Sequence, residues 1–216
     1  MRVKIAVILA VCAALAVAGG TLFAQGKAAM VTGKHDLRAT DNTGDYCKTC
    51  HVAHASSSTN LGLLWNHTLS TATYSVWNTQ DMPDYKGGAT TVLSSSGSSS
   101  LCLSCHDGTV GRNVLISNGN AADGAFEAGA LGGNDNLGTD LRNDHPVGFV
   151  YNTSYTANAT GYAAPANVVT AGLRLFGTSA TTGKVECGTC HDPHANVASF
   201  LRIANTGSAL CTTCHL

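Results

Sequence analysis

Hydrophobic residues in this chain rarely keep a period. One apolar run, Ile5 to Ala18, is uninterrupted and stands at the start. Beyond it the apolar positions come in short, differently spaced groups. Leu61 to Trp77 mixes its spacing and predicts a short helix. Leu173-Arg-Leu-Phe176 alternates, and Lys184-Val-Glu186 follows a Gly/Thr/Ser turn, so the two predict one small β-hairpin. Ser94 to Ser100 reads SSSGSSS, a flexible polar tract, and Gly119 to Gly138 is a loop rich in Gly, Asn, Asp and Ala. The expected fold is mostly irregular coil with short α-helices and one small β-hairpin. Such long runs without regular structure count against an ordinary compact domain unless something else supplies apolar surface.

The initial run has the form of a secretory signal. Arg2 and Lys4 precede it, Gly19-Gly20 breaks it, and Ala24 is a plausible last residue before cleavage. It is too short to span a bilayer, and no other run is long enough. The expected organisation is a signal peptide over residues 1–24 and one domain over residues 25–216. Charge is sparse: 12 basic and 13 acidic residues, 12% of the chain, against the roughly one-quarter usual in globular proteins. No basic stripe points to nucleic acid.

Nine cysteines change the picture. Cys12 lies in the apolar run. The other eight form one unit written four times: Cys47-Lys-Thr-Cys50-His51, Cys102-Leu-Ser-Cys105-His106, Cys187-Gly-Thr-Cys190-His191 and Cys211-Thr-Thr-Cys214-His215. C-x-x-C-H is the attachment signature of a c-type haem. Two thiols bond one porphyrin edge, and the adjacent His becomes the iron's proximal ligand. Four copies imply four covalently attached haem c groups, which would supply the missing apolar surface. Zinc knuckles are the alternative, but zinc does not require a His after every second Cys. Thiols consumed as thioethers also suit an exported chain, where free thiols would pair.

The motifs sort into two pairs. The first and third continue to a second histidine, His51-Val-Ala-His54 and His191-Asp-Pro-His194, whereas the second and fourth do not. This is a weak internal duplication. With the four motif histidines assigned, His35, His54, His67, His145 and His194 remain for four distal positions. Bis-His ligation at every iron is the simplest arrangement. His54 and His194 sit too close to their own motif to pass round its porphyrin, so each is expected to bind a different haem. Pro146 holds His145 in extended backbone, and Trp65 lies near His67. The fourth motif ends with only Leu216 after it, so its haem is expected to have little local cover.

Lys34-His35-Asp-Leu, Leu64-Trp-Asn-His67, Leu101-Cys-Leu-Ser-Cys-His-Asp-Gly108, Asp144-His-Pro-Val-Gly148 and Gly183-Lys-Val-Glu-Cys-Gly-Thr-Cys-His-Asp-Pro-His194 surround these ligands. With them the chain resembles the doubled-CXXCH multihaem cytochromes, and more closely the tetrahaem members that polymerise into extracellular filaments in metal-reducing bacteria. The resemblance implies a secreted, extracellular electron carrier wrapped around a haem stack, bis-His at every haem and self-associating head to tail. It implies other redox proteins or an extracellular acceptor as partners, and no enzymatic activity. In that family one distal His can come from the neighbouring subunit, a role for which His35 is the candidate; the competing reading is that His35 ligates a haem of its own chain. A monomeric periplasmic shuttle and a multihaem reductase are the alternatives.

Overall fold

The structure, a computed structural model, describes residues 30, 33–38, 45–54, 63–77, 93, 97–110, 115–116 and 131–216. The signal segment lies outside the described residues. Among them coil predominates, with a few short helices and one two-stranded antiparallel sheet. No described helix is long and apolar enough to cross a membrane.

In chain order the elements are α1 (Ser98–His106), β1 (Phe149–Val150), α2 (Tyr151–Ala157), α3 (Pro165–Thr170), β2 (Lys184–Val185), α4 (Cys187–Cys190) and α5 (Ala209–Thr212). Local chemistry sets several ends. Pro165 opens α3, where a missing N–H costs nothing. Gly172, at φ +106°, closes it. Leu173 N–H reaches Val168 O at 3.3 Å and Gly172 N–H reaches Val169 O at 3.1 Å, the paired bonds of a Schellman stop. Helix α4 is a single turn whose first residue is Cys187; Glu186 and Thr189 cap it reciprocally.

β1 and β2 pair with Phe149 opposite Val185 and Val150 opposite Lys184. This corrects the expected hairpin. Phe176 and Lys184 share only an isolated bridge, and the ladder partner of Lys184–Val185 comes from far upstream. The alternation over Leu173–Phe176 is real: Leu173 and Leu175 are buried and Arg174 is exposed. It serves packing rather than pairing. These leucines join Phe149, Tyr151, Ala163, Val168 and Val185 in a small core, with Tyr162, Ile203, Leu210 and Cys214 against it. The core therefore sits directly behind the third and fourth motifs.

The expected helix within Leu61–Trp77 is absent over the described 63–77. That stretch is extended and makes isolated bridges, His51 to Trp65, His67 to Leu115 and Ser75 to Asp140. Its backbone groups are spent on other segments rather than on itself. The polar tract is also corrected in part. Ser98–Ser100 is the first turn of α1, and Ser98 and Ser99 are buried. Most of 119–138 lies outside the described residues; Gly133–Asp135 is a 3-10 turn.

Candidate functional site

The four motifs share a local build. In the first, the N–H of His51 returns to Cys47 O at 2.7 Å; in the third, His191 N–H returns to Cys187 O at 3.0 Å; in the fourth, His215 N–H returns to Cys211 O at 2.9 Å. One helical turn thus puts both thiols and the histidine at one end of a tight loop. The second motif lies on the last turn and a half of α1.

The first and third motifs match further. After the first, Val52 N–H bonds Leu64 O and Asn66 N–H bonds Cys50 O; after the third, Asp192 N–H bonds Phe200 O and Arg202 N–H bonds Cys190 O. Each returning segment turns through a left-handed residue, Leu64 at φ 52° and Phe200 at φ 56°. Each hands a carbonyl to the motif histidine: His51 Nδ1 to Leu63 O at 2.5 Å and His191 Nδ1 to Ser199 O at 2.8 Å. The duplication in sequence is a duplication in structure.

These carbonyls bear on what the histidines can hold. His106 Nδ1 likewise bonds Asp135 O at 2.7 Å. An Nδ1–H donated to a carbonyl fixes the tautomer and leaves the Nε2 lone pair for a metal, the usual outer-sphere support of a ligating histidine. Candidate distal histidines show the same support. His145 Nδ1 lies 2.9 Å from Pro146 O, and His194 Nδ1 lies 3.0 Å from Asp192 Oδ1. Arg202 steadies Asp192 through Oδ2 at 3.0 Å. Burial pushes the Asp192 carboxyl up, but bonds and charges from His194 and Arg202 outweigh it and hold it below the ordinary value.

Three motif histidines face a second histidine. His51 and His194 have ring centres 6.2 Å apart and nearly parallel planes, 15°. His106 and His35 are 6.2 Å apart at 74°. His215 and His145 are 6.4 Å apart, also at 74°. A metal between two imidazoles needs two metal–nitrogen bonds of about 2.0–2.1 Å and roughly 1.1 Å more from each nitrogen to its ring centre, about 6.3 Å in all. The residues present therefore fit an iron between each pair, with Cys47/Cys50, Cys102/Cys105 and Cys211/Cys214 at the matching porphyrin edges. Among the described residues no group of three His, Cys, Asp or Glu is arranged to hold a bare metal ion.

His35 lies stacked on Phe200, 4.5 Å between ring centres, as well as facing His106. Its Nδ1 is buried without a hydrogen-bond partner. Burial, with His106 next in effect, lowers its pKa to about 4, so it stays neutral and able to bind metal. This placement favours the reading in which His35 serves its own chain. The pairs leave His54 and His67 as candidates opposite His191. His54 is exposed. His67 is 1% exposed, packs near Trp65 and places Nε2 3.6 Å from Cys105 Sγ.

The third motif is the junction. Its Cys187 thiol lies beside the Cys102 thiol of the second motif, and each shifts the other's pKa, Cys102 upward and Cys187 downward. Burial pushes the Cys190 thiol up to about 11, and the nearby thiols of Cys214, Cys187 and Cys211 add to it. His194, three residues past it, faces the first motif. Attachment edges of the second, third and fourth motifs thus converge on one region.

Several positioning residues carry no motif. Tyr151 donates to Ala163 O at 2.9 Å and Cys214 O at 3.3 Å, and Ala163 N–H bonds Cys214 O at 2.9 Å, tying the fourth motif to the core. Trp77 Nε1–H donates to Asp144 O at 2.7 Å beside His145. Ser98, Ser99 and Glu186 join α1 to α4. A Ser-rich stretch and a lone Glu gave no signal of this; the capping of α4 by Glu186 and Thr189 is seen only in the structure.

The family described as "Doubled CXXCH motif" matches residues 179–216, the third and fourth motifs. No curated protein matches the chain. The match supports a multihaem c-type cytochrome with haem c bound covalently through C-x-x-C-H.

Proposed function

We propose that this chain is an exported tetrahaem c-type cytochrome that carries electrons and makes no bonds, acting as a protomer of an extracellular head-to-tail filament. The observation that carries the electron-carrier reading is the set of three histidine pairs at the spacing an iron would bridge. Bound haem supplies a one-electron iron couple at each motif. The chain's own residues do the rest. Paired imidazoles close both axial positions, carbonyls and Asp192 orient them, and the converging cysteines bring porphyrin edges together. A second histidine facing three of the four motif histidines would leave little iron open to substrate, which disfavours a reductase.

The fourth pair is assigned by the duplication. His194 of the third unit faces His51 of the first; by analogy His54 is our candidate for His191, which would make His67 the surplus histidine. The filament reading rests on the resemblance and on the exposed fourth motif, since His215 and Leu216 are both exposed. A contact that does not close into a ring propagates as a filament. His35 facing His106 within the chain favours the second reading, a monomeric periplasmic shuttle.

Pyridine haemochrome analysis of the exported protein tests the core reading, with four haems per chain expected. Absence of CO binding by the reduced protein tests closed axial positions; prompt stoichiometric CO binding would overturn bis-His ligation throughout. Electron microscopy of secreted material separates filament from shuttle, and uniformly monomeric protein would remove the filament.

A further inference from the structure

One buried carboxylate at the junction has no part in the ligand scheme. Glu186 is 2% exposed and directly precedes Cys187. Its Oε2 accepts from the Ser99 backbone N–H at 3.2 Å and from the Ser99 hydroxyl. The α4 capping box adds the Thr189 N–H. Ser99 Oγ in turn accepts from Cys187 N–H at 3.0 Å, and Ser98 Oγ accepts from Gly188 N–H at 3.3 Å. Helix α1, which bears the second motif, is thereby bolted to the turn that bears the third.

Two glycines let the bolt close. A Cβ on Gly97 would lie 2.7 Å from Glu186 Oε1, and one on Gly188 would lie 2.6 Å from Phe176 Cζ and 2.8 Å from Ser98 Oγ. The Cys102–Cys187 thiol contact follows from that close approach. Among the described residues, none of the ion pairs includes Glu186. Hydrogen-bond donors hold the carboxylate, and no described ion pair offsets its field, which a low-dielectric interior screens weakly.

We infer that Glu186 is a positioning residue for the two haems attached at Cys102 and Cys187: its bonds to Ser99 fix how closely the attachment edges approach, and its charge lowers the reduction potentials of that pair. The inference rests on the cytochrome reading above. Adding an electron to a ferric iron removes one positive charge from the site. A fixed negative charge nearby favours the more positive, oxidised state, so reduction requires a lower potential. Burial and hydrogen bonding are recognised means of setting haem potentials. Cys211 and Cys214 approach the third motif at Cys190 rather than at Cys187, beside which Glu186 acts, so the fourth haem, like the first, feels this charge less.

The test is spectroelectrochemistry of haem-loaded wild type, Glu186→Gln and, as a surface-charge control, Asp140→Asn. Glu186→Gln is expected to raise two of the four midpoint potentials and leave two in place, while Asp140→Asn moves none selectively. Unchanged potentials, an equal shift of all four, or a downward shift in Glu186→Gln overturns the inference while leaving the cytochrome reading intact. A wild-type chain without haem overturns both. Ser99→Ala reads the clamp separately and decides the matter where Glu186→Gln does not mature. Its Soret circular-dichroism couplet, which reports coupled haems, is expected to weaken at full haem content. An undiminished couplet overturns the clamp.

Discussion

Replacing His194 with Ala opens one iron and should do little else. The His51–His194 ring separation, 6.2 Å, matches two metal–nitrogen bonds and two ring radii. An Ala methyl lies several ångströms short of the iron, so no residual bond survives. Apart from the lost iron–imidazole bond, the stability cost is small. His194 is about half exposed and its Nδ1 contact with Asp192 is a surface pair at 3.0 Å, worth at most about 1 kcal/mol. Asp192 keeps its bond to Arg202, so the loop after the third motif holds its shape. The reduced variant should bind one CO per chain, a quarter of the haem if all four motifs are loaded. The identity of the opened haem is read by epistasis. In a background where Cys47 and Cys50 are both Ala, so that the first motif carries no haem, adding His194→Ala should create no further CO site. A full equivalent of CO in that background would show that His194 serves another haem and would refute the pairing.

Gly97→Ala forces a methyl to within 2.7 Å of Glu186 Oε1; overpacking of this kind costs about 1–3 kcal/mol, and an unshifted thermal midpoint would contradict the close α1–α4 contact. Tyr151→Phe removes the donor to Ala163 O and Cys214 O at a buried position, a loss of about 1–2 kcal/mol that chemical denaturation should detect; no loss would mean the fourth motif is not tied to the core there. Asp107 is raised by burial, but bonds from Ser70, Tyr74 and Thr109 outweigh it and hold its carboxyl below 3.8. Its stabilising effect is therefore present above that value and disappears as pH falls through the lower folded value. Asp107→Asn should flatten the acid limb of stability against pH, and identical limbs below roughly pH 4 would sink the argument.

Cys and His positions were legible because attachment chemistry tolerates no other spacing. The second histidines read as candidates for a different haem, since three residues cannot circle a porphyrin, and His194 does face His51 rather than His191. Which haem each serves was not, because that depends on how distant segments pack. The Leu173–Phe176 alternation correctly marked its buried face, yet period-two patterning says nothing about the strand across the ladder. Leu61–Trp77 misled because mixed apolar spacing fits both a helix and a strap whose carbonyls serve a motif histidine. SSSGSSS misled for a different reason. Serine looks flexible by composition, but a hydroxyl facing a buried carboxylate is as ordered as any core side chain. Phe200 shows a limit on motif reading as well: nothing local to Asn-Val-Ala-Ser-Phe foretells a left-handed backbone or a ring stacked on His35.

The facing of His51 by His194 sets a timetable. His51 leaves its synthesis site long before His194, roughly 140 residues later, so the two meet only after a large loop has closed. Closing such a loop is slow relative to local turns. If His194 ligates the first haem, that haem could attach early but would lack its second histidine until the third unit arrives. His106 and His145 impose no comparable wait, because their partners His35 and His215 are each roughly 70 residues away along the chain. On that ligation a new chain would pass through an interval in which its oldest haem holds one histidine. Conditions that stall the C-terminal third would then strand a reactive, oxygen-accessible iron.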